Sequence, residues 1–484
     1  MYNMEAFHPA RFTSRGSITL RSGEALQYET VCEDNVFYSE QGEPAATIFT
    51  YSYFRADIDE AARRSRPVLF IFNGGPGASS MMVHAGCFGT KRVRYPEPAQ
   101  SCSPLPPYEL IDNPDCLLDT ADLVLVDPIS TGYGLLLDEN SASRFYGIDE
   151  DAEALVMFIC RWLDRYQRWN SPKYLVGESY GCTRAAVAAA VGCGGGRERN
   201  YGLTFDGLVF IGNTVTVAKY FNMGAPVEPA VELLPTCAAI HWYHSRPVSR
   251  TIDDFVAEAA QFAGTEYLPA LFKGEELTGK DREDIKTKLR YYCGVSDEYL
   301  EAHDLKLERV SFCRELLKAD RQVVSIVDGR FTRPVFKPEY KEGQSGYYTD
   351  AASMRYTPVY RAALGEINRL LGIRDFDRSF APSVDLGTEL VPGAKWNFYS
   401  PQVSGERLQF AMHCVPGMRV LFANGYVDLV TQNGLIYHSK SHLNLPKDRV
   451  FIRHYLSGHM AYLGEDNCRA VQEDIRNFIA VSLI

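Results

Sequence analysis

The stretch Lys173-Tyr174-Leu175-Val176-Gly177-Glu178-Ser179-Tyr180-Gly181, followed by Thr183-Arg184-Ala185-Ala186-Val187-Ala188-Ala189-Ala190, reads as strand, sharp turn, helix. The short apolar run predicts a strand, and the alanine-rich run predicts a helix. Between them lies Gly-x-Ser-x-Gly, in the setting that a nucleophile elbow requires. Such a turn lifts the serine hydroxyl above a sheet. Glycines two residues to either side leave room where a Cβ would clash. The bare pattern arises often by chance, but its place at a strand-to-helix turn makes Ser179 a candidate nucleophile.

Moving outward, the first fifty-odd residues alternate apolar and polar, as in Ser17-Ile18-Thr19-Leu20-Arg21 and Ala46-Thr47-Ile48-Phe49-Thr50-Tyr51. They read as antiparallel strands. Nearly continuous apolar runs follow at 67–72, 121–126, 174–176, 208–211 and 419–423. Runs of this kind suit strands covered on both faces of a parallel sheet. Residues 149–169 carry helical periodicity, with Ala152, Leu155, Val156, Ile159 and Leu163 on one face. The alternation predicts an α/β fold with a mostly parallel sheet. Residues 215–400 break the pattern with amphipathic helices such as 252–262 and 281–292. They are read as a helical cap inserted over the strand ends, leaving 1–214 and 401–484 as the core. Gly192-Cys193-Gly194-Gly195-Gly196 reads as a flexible loop rather than a phosphate cradle, because it follows a helix.

A serine hydroxyl needs a base to take its proton and an acid to orient that base. On a sheet of this kind the partners follow the nucleophile in the order acid, then histidine. Asp428 lies just beyond the apolar run ending in Phe422-Ala423-Asn424-Gly425, where the acid belongs. A turn aspartate is the plainer reading of that position alone. Of the four histidines that follow, His438 and His442 share a helix face and His454 ends a strand. His459, within Ser457-Gly458-His459-Met460, sits in the loop at the right height for the base. Phe72-Asn73-Gly74-Gly75-Pro76-Gly77 is a glycine-rich turn after another buried strand. A backbone N–H from this loop, assigned to Gly75, and that of Tyr180 are the candidate oxyanion donors.

At 484 residues, with 46% hydrophobic residues, the chain admits a large core with an insertion. The net charge of −11 argues against a nucleic-acid partner. No apolar run reaches the ~18 residues that span a bilayer. The N-terminus has no basic region followed by an apolar one, and the twelve cysteines show no C-x-x-C pair. A cytoplasmic chain with reduced thiols is therefore expected, or a secreted one had a leader been removed. His241 and His244 near Cys237 superficially suggest a metal site, but no fourth ligand is evident and no cofactor is called for.

With these residues in place, the chain resembles the serine carboxypeptidases (peptidase family S10, the relatives of carboxypeptidase Y and cathepsin A). The matching blocks are Asn73-Gly74-Gly75-Pro76-Gly77-Ala78-Ser79-Ser80, Asp127-Pro128-Ile129-Ser130-Thr131-Gly132-Tyr133, Gly177-Glu178-Ser179-Tyr180-Gly181, Asn424-Gly425-Tyr426-Val427-Asp428 and Gly458-His459-Met460. The resemblance implies an α/β-hydrolase fold, a peptide substrate, an acyl-enzyme intermediate and, as relatives often are, a homodimer. It implies that Asn73, Gly74 and Glu178 hold the substrate's terminal carboxylate. A Glu can do so only when one of the two acids carries a proton, which implies activity at acidic to mildly acidic pH. Where characterised eukaryotic members carry a second acid, this chain has Cys87, read as a buried small hydrophobe. The Gly-x-x-Gly-x-Lys-Arg-Val pattern around it, and Asp328-Gly329-Arg330-Phe331-Thr332, look like the bacterial branch. Arg330 is read as a structural ion-pair partner rather than a substrate contact. An esterase, amidase or acyltransferase could use the same machinery, and a non-catalytic binding protein is the reading from another class.

Overall fold

The computed structural model describes residues 7–196, 199–215, 227–245, 250–335, 349–374, 376–384, 396–397 and 404–482. Nine strands run through its main sheet: β1 (Arg11–Thr19), β2 (Ala25–Tyr38), β3 (Pro44–Arg55), β4 (Val68–Phe72), β5 (Asp122–Asp127), β6 (Lys173–Glu178), β7 (Gly207–Ile211), β8 (Arg419–Gly425) and β9 (Val450–Tyr455). Their order is β1-β2-β3-β5-β4-β6-β7-β8-β9, and Leu135–Leu136 adds a short tenth strand on β3. The first three are antiparallel, and every pair from β5 to β9 is parallel. The order reverses at β4 and β5, where the chain changes from a meander to crossover connections.

The parallel strands are apolar on both faces because both faces are covered. Leu69 and Ile71 of β4 point into one core, and Val68, Phe70 and Phe72 into the other, following the two-residue period of a strand. Helices α1 (Ile148–Tyr166), α2 (Tyr180–Ala190) and α7 (Ser404–Cys414) cover the second face. Helices α6 (Ala351–Leu370) and α9 (Glu465–Ser482) cover the first. Helix α1 stops at Tyr166, short of residue 169, because Gln167 turns left-handed (φ 55°) and its N–H returns to Asp164.

A third apolar cluster belongs to the inserted region. It gathers α3 (Glu228–Ser245), α4 (Ile252–Phe262), α5 (Gly279–Cys293) and the chain down to Val324, and it rests on Tyr426, Val427 and Leu429 beside the candidate acid. The cap expected over 215–400 therefore divides. Helix α6 lies inside that span, yet Tyr356, Tyr360, Leu364 and Ile367 bury with Tyr462 and Leu463 on the main sheet. Periodicity shows that a helix has an apolar face but not which surface that face meets. The expected boundaries near 215 and 400 adjoin 216–226 and 398–403, outside the described residues. The Gly192–Gly196 stretch is also corrected: Val191–Gly195 continues α2 as a wider turn, and only Gly194 leaves helical geometry, at φ 105°.

Candidate active site

Strand β6 ends at Glu178, helix α2 begins at Tyr180, and Ser179 joins them at φ 60°, ψ −128°. A non-glycine residue held there is strained, which is characteristic of an elbow. Its N–H donates to the Ile211 carbonyl at 2.8 Å, and the Thr214 hydroxyl donates to its carbonyl at 2.8 Å. The tightness of the turn explains the motif's first glycine: a Cβ on Gly177 would lie 2.2 Å from the Gly181 carbonyl oxygen. Ser179 is half-buried, so its side chain retains access from solvent.

The imidazole reaches this level because three parallel strands end together. Ile211 of β7 is in register with Glu178 of β6 and Ala423 of β8. The His459 ring lies over the next residue, Gly212, where a Cβ would be 2.9 Å from its Cε1 and Nδ1 atoms. His459 Nδ1 is 2.9 Å from Asp428 Oδ2, with Asp428 fully buried and His459 nearly so. Asp428 is itself fixed: its Oδ1 accepts from the Val430 and Thr431 N–H groups at 2.8 and 3.0 Å, and the Thr431 hydroxyl donates to Oδ2. Thr431 carries no motif, so nothing in the sequence marks it. A carboxylate at Nδ1 leaves Nε2 as the free lone pair, the tautomer a general base needs. Burial alone would push the imidazole's pKa down. The charge and hydrogen bond of Asp428, with the charge of Glu178, outweigh it and hold the pKa above the ordinary 6.5.

The glycine-rich turn packs directly on the elbow. A Cβ on Gly74 would fall 2.4 Å from the Tyr180 nitrogen, so the two backbones approach as only glycine permits. Gly75 has φ 103°. The Tyr180 N–H stands at the first helical position, where no intrahelical acceptor exists. Arg184 ties the parts together: its Nε donates to Asp151 Oδ2 at 2.7 Å and its Nη1 to the Asn73 carbonyl at 2.7 Å. Asp127, from a second matching block, accepts from the Ser80 N–H at 2.8 Å and is pushed up to about 7 by burial.

Asn73 and Glu178 meet. Asn73 Nδ2 donates to Glu178 Oε1 at 2.7 Å, and Asn73 Oδ1 accepts from the Val83 N–H at 3.1 Å. Glu178 Oε2 is buried beside the Tyr462 hydroxyl without a hydrogen bond of ordinary geometry. Burial pushes the Glu178 carboxyl up from 4.5 to about 7. Cys87 is fully buried, with its sulfur 3.9 Å from that of Cys468. None of the twelve cysteines forms a disulfide.

The remaining candidates lie elsewhere. On α8 (Asn433–His442), His438 Nδ1 is 2.5 Å from Glu232 Oε1 of α3, and His442 extends beyond it into solvent. His454 stacks on Tyr426, and burial pushes its pKa down to about 4. His241 and His244 bind the carbonyls of Tyr292 and Gly329. Arg330 pairs with Asp328 at 2.6 Å, deep beneath the His459 loop.

The sheet order, the strained serine turn and the adjoining acid–imidazole pair define a serine hydrolase of the α/β-hydrolase fold. Residues 38–225 match the family model described as serine carboxypeptidase. Over nearly its whole length the fold is similar to a prohormone-processing carboxypeptidase, Kex1(delta)p from Saccharomyces cerevisiae. The identity is 15%, the TM-score 0.54, and the coverage 96% of this chain and 90% of that one. A putative aryl esterase from Burkholderia cenocepacia is more distant, with 12% identity, a TM-score of 0.37 and coverage of 93% and 99%. No curated protein matches the sequence. Among the described residues, no helix is long and apolar enough to cross a membrane.

Proposed function

We propose that the protein releases C-terminal residues from peptides, with Ser179 as nucleophile, His459 as general base and Asp428 as the group that orients the imidazole. Ser179 Oγ attacks the scissile carbonyl while its proton passes to His459 Nε2. The Gly75 and Tyr180 N–H groups receive the oxyanion. The proton then goes to the leaving amine, and water, activated by the same imidazole, releases the acyl group. Asn73, Gly74 and protonated Glu178 form the contact for the substrate's carboxylate. The single observation that carries this reading is the buried 2.9 Å contact between Asp428 and His459 at the level of the strained Ser179 turn.

Ser179→Ala tests the nucleophile: labelling by a fluorophosphonate probe should vanish, and labelling at the parent rate would overturn the assignment. Blocked dipeptides with free and amidated C-termini test the carboxylate contact. Preference for the free acid supports the peptidase reading. Indifference to it favours an esterase or amidase, the reading that Cys87 in place of a second acid keeps in view.

A further inference from the structure

Residues 325–330 leave the cap and pass between the two loops that carry Asp428 and His459. On the acid side, the Leu429 N–H donates to the Ile326 carbonyl at 3.1 Å, and the Gly329 N–H to the Val427 carbonyl at 2.9 Å. On the imidazole side, the His459 N–H donates to the Val327 carbonyl at 2.7 Å, and the Gly458 N–H to Asp328 Oδ2 at 3.1 Å. The contact is close enough to exclude a side chain: a Cβ on Gly458 would lie 2.3 Å from the Val327 oxygen and 2.4 Å from Asp328 Cα.

Arg330 closes the arrangement. Its Nη2 donates to Asp328 Oδ2 at 2.6 Å, to Ser457 Oγ at 3.1 Å and to the Leu463 carbonyl at 3.0 Å; its Nη1 donates to the Leu456 carbonyl at 2.8 Å. One buried guanidinium thus grips both ends of the loop in whose middle His459 stands. The segment is anchored in turn by Asp350, the N-cap of α6. That carboxylate accepts from the Ser325 hydroxyl and the Ile326 N–H, each at 2.7 Å, and from the Ala352 N–H at 2.9 Å. The acceptors around its guanidinium leave Arg330 committed to the protein interior rather than to an anionic substrate.

We propose that residues 325–330 are a clasp for the triad, with Arg330 and Asp328 as positioning residues that fix His459 against Asp428. The proposal rests on the triad reading above. Near the reacting atoms a displacement of about 1 Å can cost ~100-fold in rate, and at His459 itself the backbone donor ends on the clasp.

Arg330→Met, Arg330→Lys, Asp328→Asn and Ser457→Ala test it, with kcat and KM measured on a blocked dipeptide and normalised to fluorophosphonate-titrated sites. Arg330→Met is expected to lower kcat about 100-fold with KM within about twofold. Its acid pH limb should move to lower pH, because His459, faced by Asp428 and Glu178, loses part of Asp428's hold. Arg330→Lys should recover part of the loss. Thermal midpoints that fall while kcat per titrated site and the pH limb stay at parent values would overturn the clasp. Should Arg330→Met fail to fold, Asp328→Asn and Ser457→Ala decide the matter: a smaller loss in kcat with the same pH displacement supports it, and parent kinetics overturn it. Turnover surviving in Ser179→Ala would instead refute the triad reading.

Discussion

Replacing Glu178 by Gln probes the carboxylate contact and the stability of the fold together. The parent carboxyl has its pKa pushed up to about 7 by burial, against 4.5 for the free group. An acid raised in the fold holds its proton more tightly folded than unfolded. Between these two values the native state binds the extra proton, so stability falls as pH rises, and the whole loss stands above pH ~7. The shift of about 2.5 units corresponds to roughly 3 kcal/mol at 1.36 kcal/mol per unit. Gln keeps the shape and still accepts from Asn73 Nδ2, but it never ionises. Glu178→Gln should therefore match the parent near pH 4.5 and be more stable near pH 8 by about 3 kcal/mol. An unfolding entropy of ~2.1 cal/mol/K per residue gives about 1 kcal/mol/K over 484 residues. The thermal midpoint should thus rise by about 3 °C at pH 8 alone, measured on the catalytically silent Ser179→Ala background. A midpoint difference that is equal at both pH values refutes the reasoning.

Asp428→Asn should lower kcat by about 10⁴ with the fold retained, because the amide can keep the Val430 and Thr431 N–H bonds through Oδ1 but favours the wrong tautomer of His459; steady-state kinetics beside circular dichroism would check it. Gly74→Ala places a methyl 2.4 Å from the Tyr180 nitrogen and should cost about 10²–10³ in kcat by displacing an oxyanion donor. Ester turnover near the parent rate would count against that donor. Arg184→Met leaves the buried Asp151 without its 2.7 Å partner and should destabilise the protein by about 3–5 kcal/mol, read from urea denaturation at neutral pH.

What could be read from the sequence follows from where the chemistry leaves a local mark. Strands β4 to β8 bury both faces and so appear as unbroken apolar runs. The elbow needs glycine at 177, since a Cβ there strikes the Gly181 carbonyl, and the Asn73 turn needs it at 74 for the same kind of reason. Asp428 and His459 are legible because each follows a strand-like run at the end where loops converge. Thr431 has no such mark, although its hydroxyl and N–H fix Asp428. The clasp was hidden more completely: its grip on His459 is a carbonyl oxygen of Val327, and main-chain acceptors have no sequence signature. Helix α6 reads as part of the cap because its apolar stripe is visible in the sequence and its partner surface is not.

The environment of Glu178 gives the missing second acid a physical meaning. Where two acids surround a substrate carboxylate, mutual repulsion keeps a proton in the group. Here Cys87 occupies the second position, buried against Cys468, and supplies no such charge. Burial performs the task, with the charge of Asp428 adding to it, pushing Glu178 up to about 7, with Asn73 on one oxygen and the Tyr462 hydroxyl beside the other. Recognition of a free carboxylate should then be lost as pH rises through that value. Deprotonation of His459, held above 6.5, opens catalysis from the acid side. The two groups interact, so the limbs belong to the pair. A free-acid peptide should give a narrow bell, and its amidated counterpart only the rising limb. Glu178→Gln should remove the falling limb and, by withdrawing a negative charge from His459, move the rising limb to lower pH.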